Sequence, residues 1–583
     1  MILVAQHTID EYTRRRWWGT TTLWDLFVQH VAGRPDAEAV VDAPNRADVA
    51  HGAPRRLSWS QLADAVDRFC RLLLDTGVRR DERVLMHLPN GVEQYVVYLS
   101  CARLGIVITP VPVQYRENEL EYIVAHTQAA AVVTFTRIGK PDTGHAAAAM
   151  FAAMRAGHTG VRAILAWGDD VGPDFIDIGR HTAAPMTDTD RQRVQQAEAD
   201  AAVTANDVFT ICWTSGTEAR PKGVPRSHNE WLVVAPSIID AGQIRAHARL
   251  LNPFPLVNMA GISTAIAAWL VVGGTVVQHH PFSLPVFLQQ IRDERIDYTV
   301  APPAVLNMLL QNSALLEGID FKRLSRIGSG SAPLSEWMVR GFAEQFGVQI
   351  INYFGSNEGA ALAGNHIDLP DPGERATFFP RAGVKGFDWS VSTTRKVRTR
   401  LVDLDTGEDI AQAGRVGELR FTGPTIFSGY YNAPELSARA FDEQGYYKTG
   451  DLFEIAGDRL QFYRYAGRSK DLVIRGGMNI SAEEIEGLLQ ACPGVREVAV
   501  VGVPDDILGE KVCACIVAQE GHRIVLGDIV SYLRTEKHVA AYKLPEYLMP
   551  LVSMPRNPVG KILKTQLRAQ ARALLAAPRQ AAA

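Results

Sequence analysis

Hydrophobic positions along this chain follow two alternating rhythms. Residues 24–31, 60–76 and 91–104 carry apolar side chains at helical spacing. Short apolar runs at 83–86, 106–111, 130–135 and 163–167 predict buried strands between such helices. Strands alternating with helices imply a parallel sheet covered on both faces. The longest apolar stretch, 261–277, is broken by Gly273-Gly274 and predicts a buried helix, a turn and a strand. It is shorter than the roughly 20 residues that a membrane-spanning helix needs. Further strands are predicted at 207–213, 297–303, 326–329 and 348–354, with strand and turn character at 420–429. Residues 185–207 are polar and predict a surface connection. Residues 367–400, rich in Pro, Gly and charge, predict irregular β structure.

From about Arg468 the rhythm restarts. A helix at 481–489 has Ser481 as its N-cap, with Glu483 and Glu484 in its first turn. Strands at 497–503 and 511–518 and a helix at 525–534 follow. The fold class predicted is α/β. A large multi-subdomain N-terminal domain, residues 1–467, holds parallel sheets and a β-rich part, and a small α+β domain, residues 468–583, follows.

Composition narrows the function. Sixty basic and sixty-four acidic residues give a net charge of −4, which removes overall basicity as an argument for nucleic-acid binding. Six cysteines in 583 residues, with no CxxC pair, predict buried inert thiols rather than a disulfide framework. The N-terminus lacks the order of charge and apolar run of an export signal. A reducing cytoplasm is the expected compartment.

Chemistry concentrates first at residues 214–223, Thr-Ser-Gly-Thr-Glu-Ala-Arg-Pro-Lys-Gly, directly after a predicted strand. Hydroxyls and loop amides can donate to phosphate oxygens, glycine allows close approach, and Lys222 adds a charge. The spacing is not that of a Walker loop. The string resembles the phosphate-binding signature of the adenylate-forming (AMP-binding) superfamily, in its acyl-CoA synthetase and aryl-acid ligase branch. Glu218 and Ala219 replace that family's second Thr and its Gly. The resemblance implies that Thr214, Ser215, Gly216 and Thr217 hold ATP phosphates, with Thr217 also near magnesium.

The remaining segments follow in family order. Gly330-Ser331-Ala332-Pro333-Leu334 resembles the turn beside adenine, with Gly330 also facing the acid. Asn352-Tyr353-Phe354-Gly355-Ser356-Asn357-Glu358 resembles NxYGxTE. This implies that Asn352 meets the adenine amino group, Phe354 stacks on the base, Asn357 faces the α-phosphate and Glu358 places Mg2+. Tyr353 and Gly355 complete that nucleotide segment. Tyr447-Lys448-Thr449-Gly450-Asp451 resembles YxTGD, which makes Asp451 the acceptor for ribose hydroxyls, and Gly467-Arg468 matches the family's GR. Lys470 falls at the family hinge, so the small domain is expected to move as a lid. Arg475-Gly476-Gly477-Met478-Asn479-Ile480 resembles the stretch of CoA ligases that lies beside pantetheine. Residues 555–564, Pro-Arg-Asn-Pro-Val-Gly-Lys-Ile-Leu-Lys, resemble PxxxxGKxxK, which makes Lys561 the mobile catalytic lysine.

Residues 225–231, Pro-Arg-Ser-His-Asn-Glu-Trp, are similar to a stretch of aryl-acid and alicyclic-acid ligases. Asn258 stands where the family has His, and Met259 where hydroxybenzoate enzymes read a hydroxyl. A pocket lined by Met259, Ala260 and Ile262 would favour a compact apolar ring or a medium chain, and Gly261 belongs to the same substrate segment. The favoured reading is an ATP-, Mg2+- and coenzyme A-dependent ligase for an aromatic, alicyclic or other apolar carboxylic acid. A stand-alone adenylating enzyme that loads an acyl carrier protein is the alternative, and a nucleotide-binding protein without turnover is the third. No nucleic-acid partner or transmembrane segment is expected, and a homodimer stays open.

Overall fold

The computed structural model describes residues 1–583 apart from 143, 156–159, 215–220, 476–477, 506–507, 538, 540, 558–559 and 577–583. Backbone alone is described at 118, 155, 470, 478, 479 and 576. The chain divides into two compact units, one of residues 1–398 and 421–447 and one of residues 399–420 and 448–583.

Two sheets dominate the first unit. In a seven-stranded sheet, Val107–Pro110, Arg83–Met86, Ala131–Phe135 and Ala163–Trp167 run parallel, and Val208–Thr214 lies beside Val107–Pro110. An eight-stranded sheet is parallel through Thr275–Gln278, Arg249–Asn252, Tyr298–Val300, Arg326–Gly330 and Gln349–Gly355. Antiparallel strands close its edges at Arg56–Ser58 and Ala361–Gly364. Continuous burial along strands such as Ala131–Phe135 and Thr275–Gln278 explains their unbroken apolar sequence. The helix Val92–Leu104 is buried on every side, so it shows no polar face.

The 261–277 stretch folds as predicted in kind. Helix runs through Met259–Ile262, a π turn Ser263–Ala268 and Trp269–Val272, then Gly273 turns at φ +61° into the strand Thr275–Gln278. Two expectations are corrected. The polar segment 185–207 contains the helix Asp188–Ala201, started by a reciprocal Thr187–Asp190 cap. Only Val194 and Ala201 of that helix are buried, so apolar periodicity could not reveal it. The stretch 367–400 holds a short helix, Pro372–Thr377, capped by Asp371, besides its strands.

In the second unit a sheet of Met478–Ser481, Leu472–Arg475, Gly509–Ala518 and Val495–Asp505 is joined by Tyr547–Pro550. Alternate residues face opposite helices. Val498, Val500, Val512 and Ala514 share a cluster with Ile485 and Leu489 of helix Ala482–Leu489. Ala499, Val501, Cys513 and Cys515 share another with Leu567 and Ala571 of helix Lys564–Ala576. Ser481 caps its helix by accepting from Glu484 N at 3.2 Å. All six cysteines are free and buried. Among the described residues no helix is long and apolar enough to cross a membrane.

Candidate active site

In the first unit, Thr214 ends one strand and Lys222 begins the next, directly opposite it in an antiparallel pair. The loop between them is where the sequence places Ser215, Gly216 and Thr217, which lie outside the described residues. Lys222 Nζ sits 5.4 Å from the centroid of the Tyr430 ring. The Tyr430 hydroxyl donates to Glu358 Oε1 at 3.0 Å. One tyrosine thus links the loop lysine to the expected metal carboxylate. Sequence reading assigns no chemistry to Tyr430, and only its neighbours in space reveal this part.

Asn357 and Glu358 occupy the turn between the strands Gln349–Gly355 and Ala361–Gly364. Asn357 Nδ2 donates to the Trp213 carbonyl at 3.3 Å, and Asn357 Oδ1 accepts from Met259 N at 2.8 Å. A single amide therefore fastens the end of the strand Val208–Thr214 to the start of the helix Met259–Ile262. One amide N–H remains for a phosphate oxygen. Arg226 lies beneath, fully buried, and donates to the carbonyls of Asn357, Glu230 and Thr425 at 3.1, 2.8 and 3.0 Å. Gly359 is required here. Its φ is +100°, and a Cβ would stand 1.7 Å from the Thr425 carbonyl oxygen.

Strand alternation sorts the adenine segment. Asn352 is buried and donates through Nδ2 to the carbonyls of Arg375 and Ala376, both at 3.1 Å. Its Oδ1 remains an acceptor, the polarity an adenine amino group needs. Phe354, two residues on, shares that face of the strand and meets Phe379 edge-on at 6.3 Å. Tyr353 points the other way, and its hydroxyl bonds Tyr298 Oη at 3.0 Å. The structure thus separates Tyr353 from Asn352 and Phe354. Gly330 pairs with Tyr353 across the sheet, and a Cβ on it would meet the Tyr353 carbonyl oxygen at 2.3 Å. Ser331 then turns the chain at φ +66° into the exposed Ala332 and Pro333, while Gly355 ends its strand opposite Ala361.

In the acid-binding segment Asn258 is spent locally, its Oδ1 accepting from Gly261 N at 3.3 Å as a helix cap. Gly261 fits because a Cβ would fall 2.2 Å from the Pro255 carbonyl oxygen. Met259 is buried.

In the second unit Asp451 and Arg468 pair across adjacent antiparallel strands, with Arg468 Nε 2.8 Å from Asp451 Oδ1. Asp451 is 2% exposed, so the guanidinium offsets the cost of burying its charge. Burial works against the Arg468 charge, but Asp451 and Tyr465 together outweigh it and raise the pKa. The backbone of Lys470 lies in the turn Ser469–Asp471 between two strands. Gly476 and Gly477 lie outside the described residues, between the paired strands Leu472–Arg475 and Met478–Ser481. Lys561 is exposed in a tight turn. Its N–H donates to Asn557 Oδ1 and its carbonyl accepts from Asn557 N, both at 2.8 Å.

A magnesium ion would find few protein ligands here. Among the described residues no group of three or more His, Cys, Asp or Glu side chains could hold a metal. Glu358 is buried and uses one carboxylate oxygen on Tyr430. One hard oxygen ligand suits an ion held mainly by substrate phosphates and water.

The AMP-binding enzyme family matches residues 27–431, and the AMP-binding enzyme C-terminal domain matches residues 484–561. The chain belongs to the AMP-binding enzyme family. It is 30% identical over 571 residues to 2-hydroxy-7-methoxy-5-methyl-1-naphthoate–CoA ligase of Streptomyces carzinostaticus, covering 96% of this chain and 95% of that protein. It is 30% identical over 567 residues to salicylyl-CoA synthase / salicylate adenylyltransferase of a Streptomyces species, covering 96% and 95%. The crystal structure of ATP-bound MatB from Rhodopseudomonas palustris is similar with a TM-score of 0.76, at 25% identity, over 95% of this chain and all of that one.

Proposed function

We propose that this chain is an acyl-CoA synthetase that activates an aromatic, alicyclic or other apolar acid with ATP and passes the acyl group to coenzyme A. The observation that carries the reading is the Lys222–Tyr430–Glu358 contact, braced by Asn357 and Arg226. It sets a cation and a carboxylate beside the loop that the sequence assigns to phosphate. Names of relatives that contain naphthoate and salicylate support an aromatic acid.

A carboxylate cannot acylate a thiol directly, because oxide would have to leave. In the first half-reaction the acid's oxygen attacks the α-phosphorus of ATP. The bond from that phosphorus to the bridging oxygen breaks, and pyrophosphate departs. The barrier is the approach of an anion to a polyanion, which Lys222 and Lys561 would lower by placing positive charge where negative charge develops. Mg2+, held by Glu358 and Thr217, would supply Lewis-acid stabilisation of the phosphates. Asn352 Oδ1 would accept from the adenine amino group, Phe354 would cover the base, and Asp451 would accept from the ribose hydroxyls. In the second half-reaction the thiol attacks the acyl carbon, and AMP leaves. Residues 468–583 would pivot at Lys470 between the two, withdrawing Lys561 and admitting coenzyme A beside Gly476 and Gly477. Six buried free thiols suit a reducing cytoplasm.

The test is pyrophosphate release against a panel of aryl, alicyclic and straight-chain acids, with and without coenzyme A. Release with an apolar cyclic acid, and a thioester only when coenzyme A is present, is the expected result. Adenylate formation without any thioester would point to carrier-protein loading. Silence across the panel, in enzyme shown to bind ATP, would favour a nucleotide-binding protein. Lys561→Ala should abolish adenylate formation and spare thioester formation from supplied acyl-adenylate. Equal loss of both would contradict its role.

A further inference from the structure

Three residues beyond Lys561 begins the helix Lys564–Ala576, and one face of it is anchored at three points. Lys564 is nearly buried, with Nζ 2.8 Å from Glu486 Oε1 and 3.6 Å from Glu483 Oε1. Leu567 and Ala571 enter the core against Ala499 and Val501. Arg568 Nη2 donates to Asp471 Oδ1 at 2.8 Å. Positions 564, 567, 568 and 571 follow helical spacing, so one stripe carries all four.

The partners are informative. Asp471 belongs to the turn that contains Lys470. Glu483 and Glu486 lie three residues apart on helix Ala482–Leu489, which packs on the opposite sheet face from Lys564–Ala576. Glu486 Oε1 also accepts from Val500 N at 2.5 Å, on the edge strand Val495–Asp505. Lys564 therefore reaches round the free edge of the sheet and joins the two helices. Glu483 Oε2 is buried and has no hydrogen-bond partner among the described residues. It presses against Gly467, where a Cβ would stand 2.5 Å away, immediately before the Arg468 that pairs with Asp451.

Stability alone explains this cluster poorly. A buried ammonium–carboxylate contact is often no better than apolar packing, and an orphaned carboxylate oxygen adds cost. Lys564 Nζ meets Glu486 as an ion pair without hydrogen-bond geometry, and Arg568 adds a directional hydrogen bond to Asp471, so the two contacts together fix the helix in rotation and translation where a greasy face would let it slide. We propose that Lys564 and Arg568 are positioning residues for Lys561. Their ion pairs with Glu486 and Asp471 lock its turn and helix to the pivot segment, so rotation at Lys470 arrives undiminished at the Lys561 ammonium. The inference rests on the adenylating role of Lys561.

The test compares half-reactions in full-length enzyme. Lys561→Ala serves as the reference and should lose acid-dependent ATP–pyrophosphate exchange. Lys564→Met keeps the aliphatic stem and removes the charge. It should lower kcat for exchange by about tenfold or more, since ångström misplacement of a reacting group is costly. The KM for ATP and the rate of thioester formation from supplied acyl-adenylate should change less than about twofold on that account. Lys564→Arg should restore exchange. Should Lys564→Met fold poorly, Arg568→Gln carries the same prediction at the other anchor, and Asp471→Arg with Arg568→Asp should recover part of the loss. Equal loss in both half-reactions, or normal exchange in both single variants, overturns the positioning role. If Lys561→Ala itself retains exchange, the functional reading fails instead.

Discussion

Two groups of anchored cations, one in each unit, differ in what holds them. On and beside the strands Lys222–Ser227 and Gln349–Gly355 of the first unit, Arg226 and Arg375 are fully buried and bind mainly carbonyl oxygens. Arg375 donates to those of Ile350, Leu369 and Pro370, with the Gln349 side chain as a further partner. Burial lowers the pKa of both, that of Arg375 to about 10. In the second unit Arg468, Arg475, Lys564 and Arg568 instead meet carboxylates carried by other elements. Carbonyl-bound guanidinium groups make a fixed frame. Ion pairs between elements make a frame that can be re-formed when one element turns.

Burial also shifts titration in each unit. In the first unit burial drives His87 down to about 3 and His228 to about 4, so both are held neutral. In the second unit burial pushes Glu486 up to about 7, with Lys564 opposing it. The signs oppose. A depressed histidine contributes stability above pH 6.5 that is lost as pH falls toward its folded value. A raised carboxyl contributes stability below pH 4.5 that is lost as pH rises through about 7.

The largest effect should come from the fixed frame. Arg226→Lys loses the fork that serves three carbonyls and should cost about 3 kcal/mol in thermal unfolding, with a higher KM for ATP. A stability change no larger than that of Arg475→Lys would erase the contrast between units. Next, lowering pH from 6.5 to 5 should cost about 2 kcal/mol for each of His87 and His228. Hydrogen exchange should show the first unit opening before the second, and His87→Leu should remove its share. Parallel loss in both units would contradict the histidine account. Glu486 should give the second unit the opposite slope, at most about 1.4 kcal/mol per pH unit between pH 5 and 7. Glu486→Gln should flatten that slope, measured by exchange protection in the helix Ala482–Leu489. Smallest is Tyr430→Phe, which removes one hydrogen bond to Glu358 and should cost about 1 kcal/mol of transition-state stabilisation. That loss should appear as a several-fold fall in kcat/KM for ATP, and an unchanged value would remove Tyr430 from the site.

Much of this was legible in the chain. The strands at 83–86, 130–135 and 163–167 announced themselves because burial on both faces selects continuous apolar residues. The order of motifs from Thr214 to Lys561 pointed to the AMP-binding enzyme family, to which the chain belongs. The helix Asp188–Ala201 was hidden because its stability lies in caps and two apolar contacts. Tyr430 and Arg226 were undervalued for a related reason, since their partners lie 72 and 199 residues away in sequence.

By itself the sequence determined which residue types could meet phosphate, purine, ribose and acid, and that α and β elements alternate. Side-chain chemistry and apolar period are local properties, written residue by residue. Only the tertiary structure decided that Tyr353 turns from Phe354's face, that Asn357 ties two segments together, and that Lys564 and Arg568 brace the turn of Lys561. Those outcomes depend on distances between remote parts of the chain, which packing fixes and no local pattern encodes.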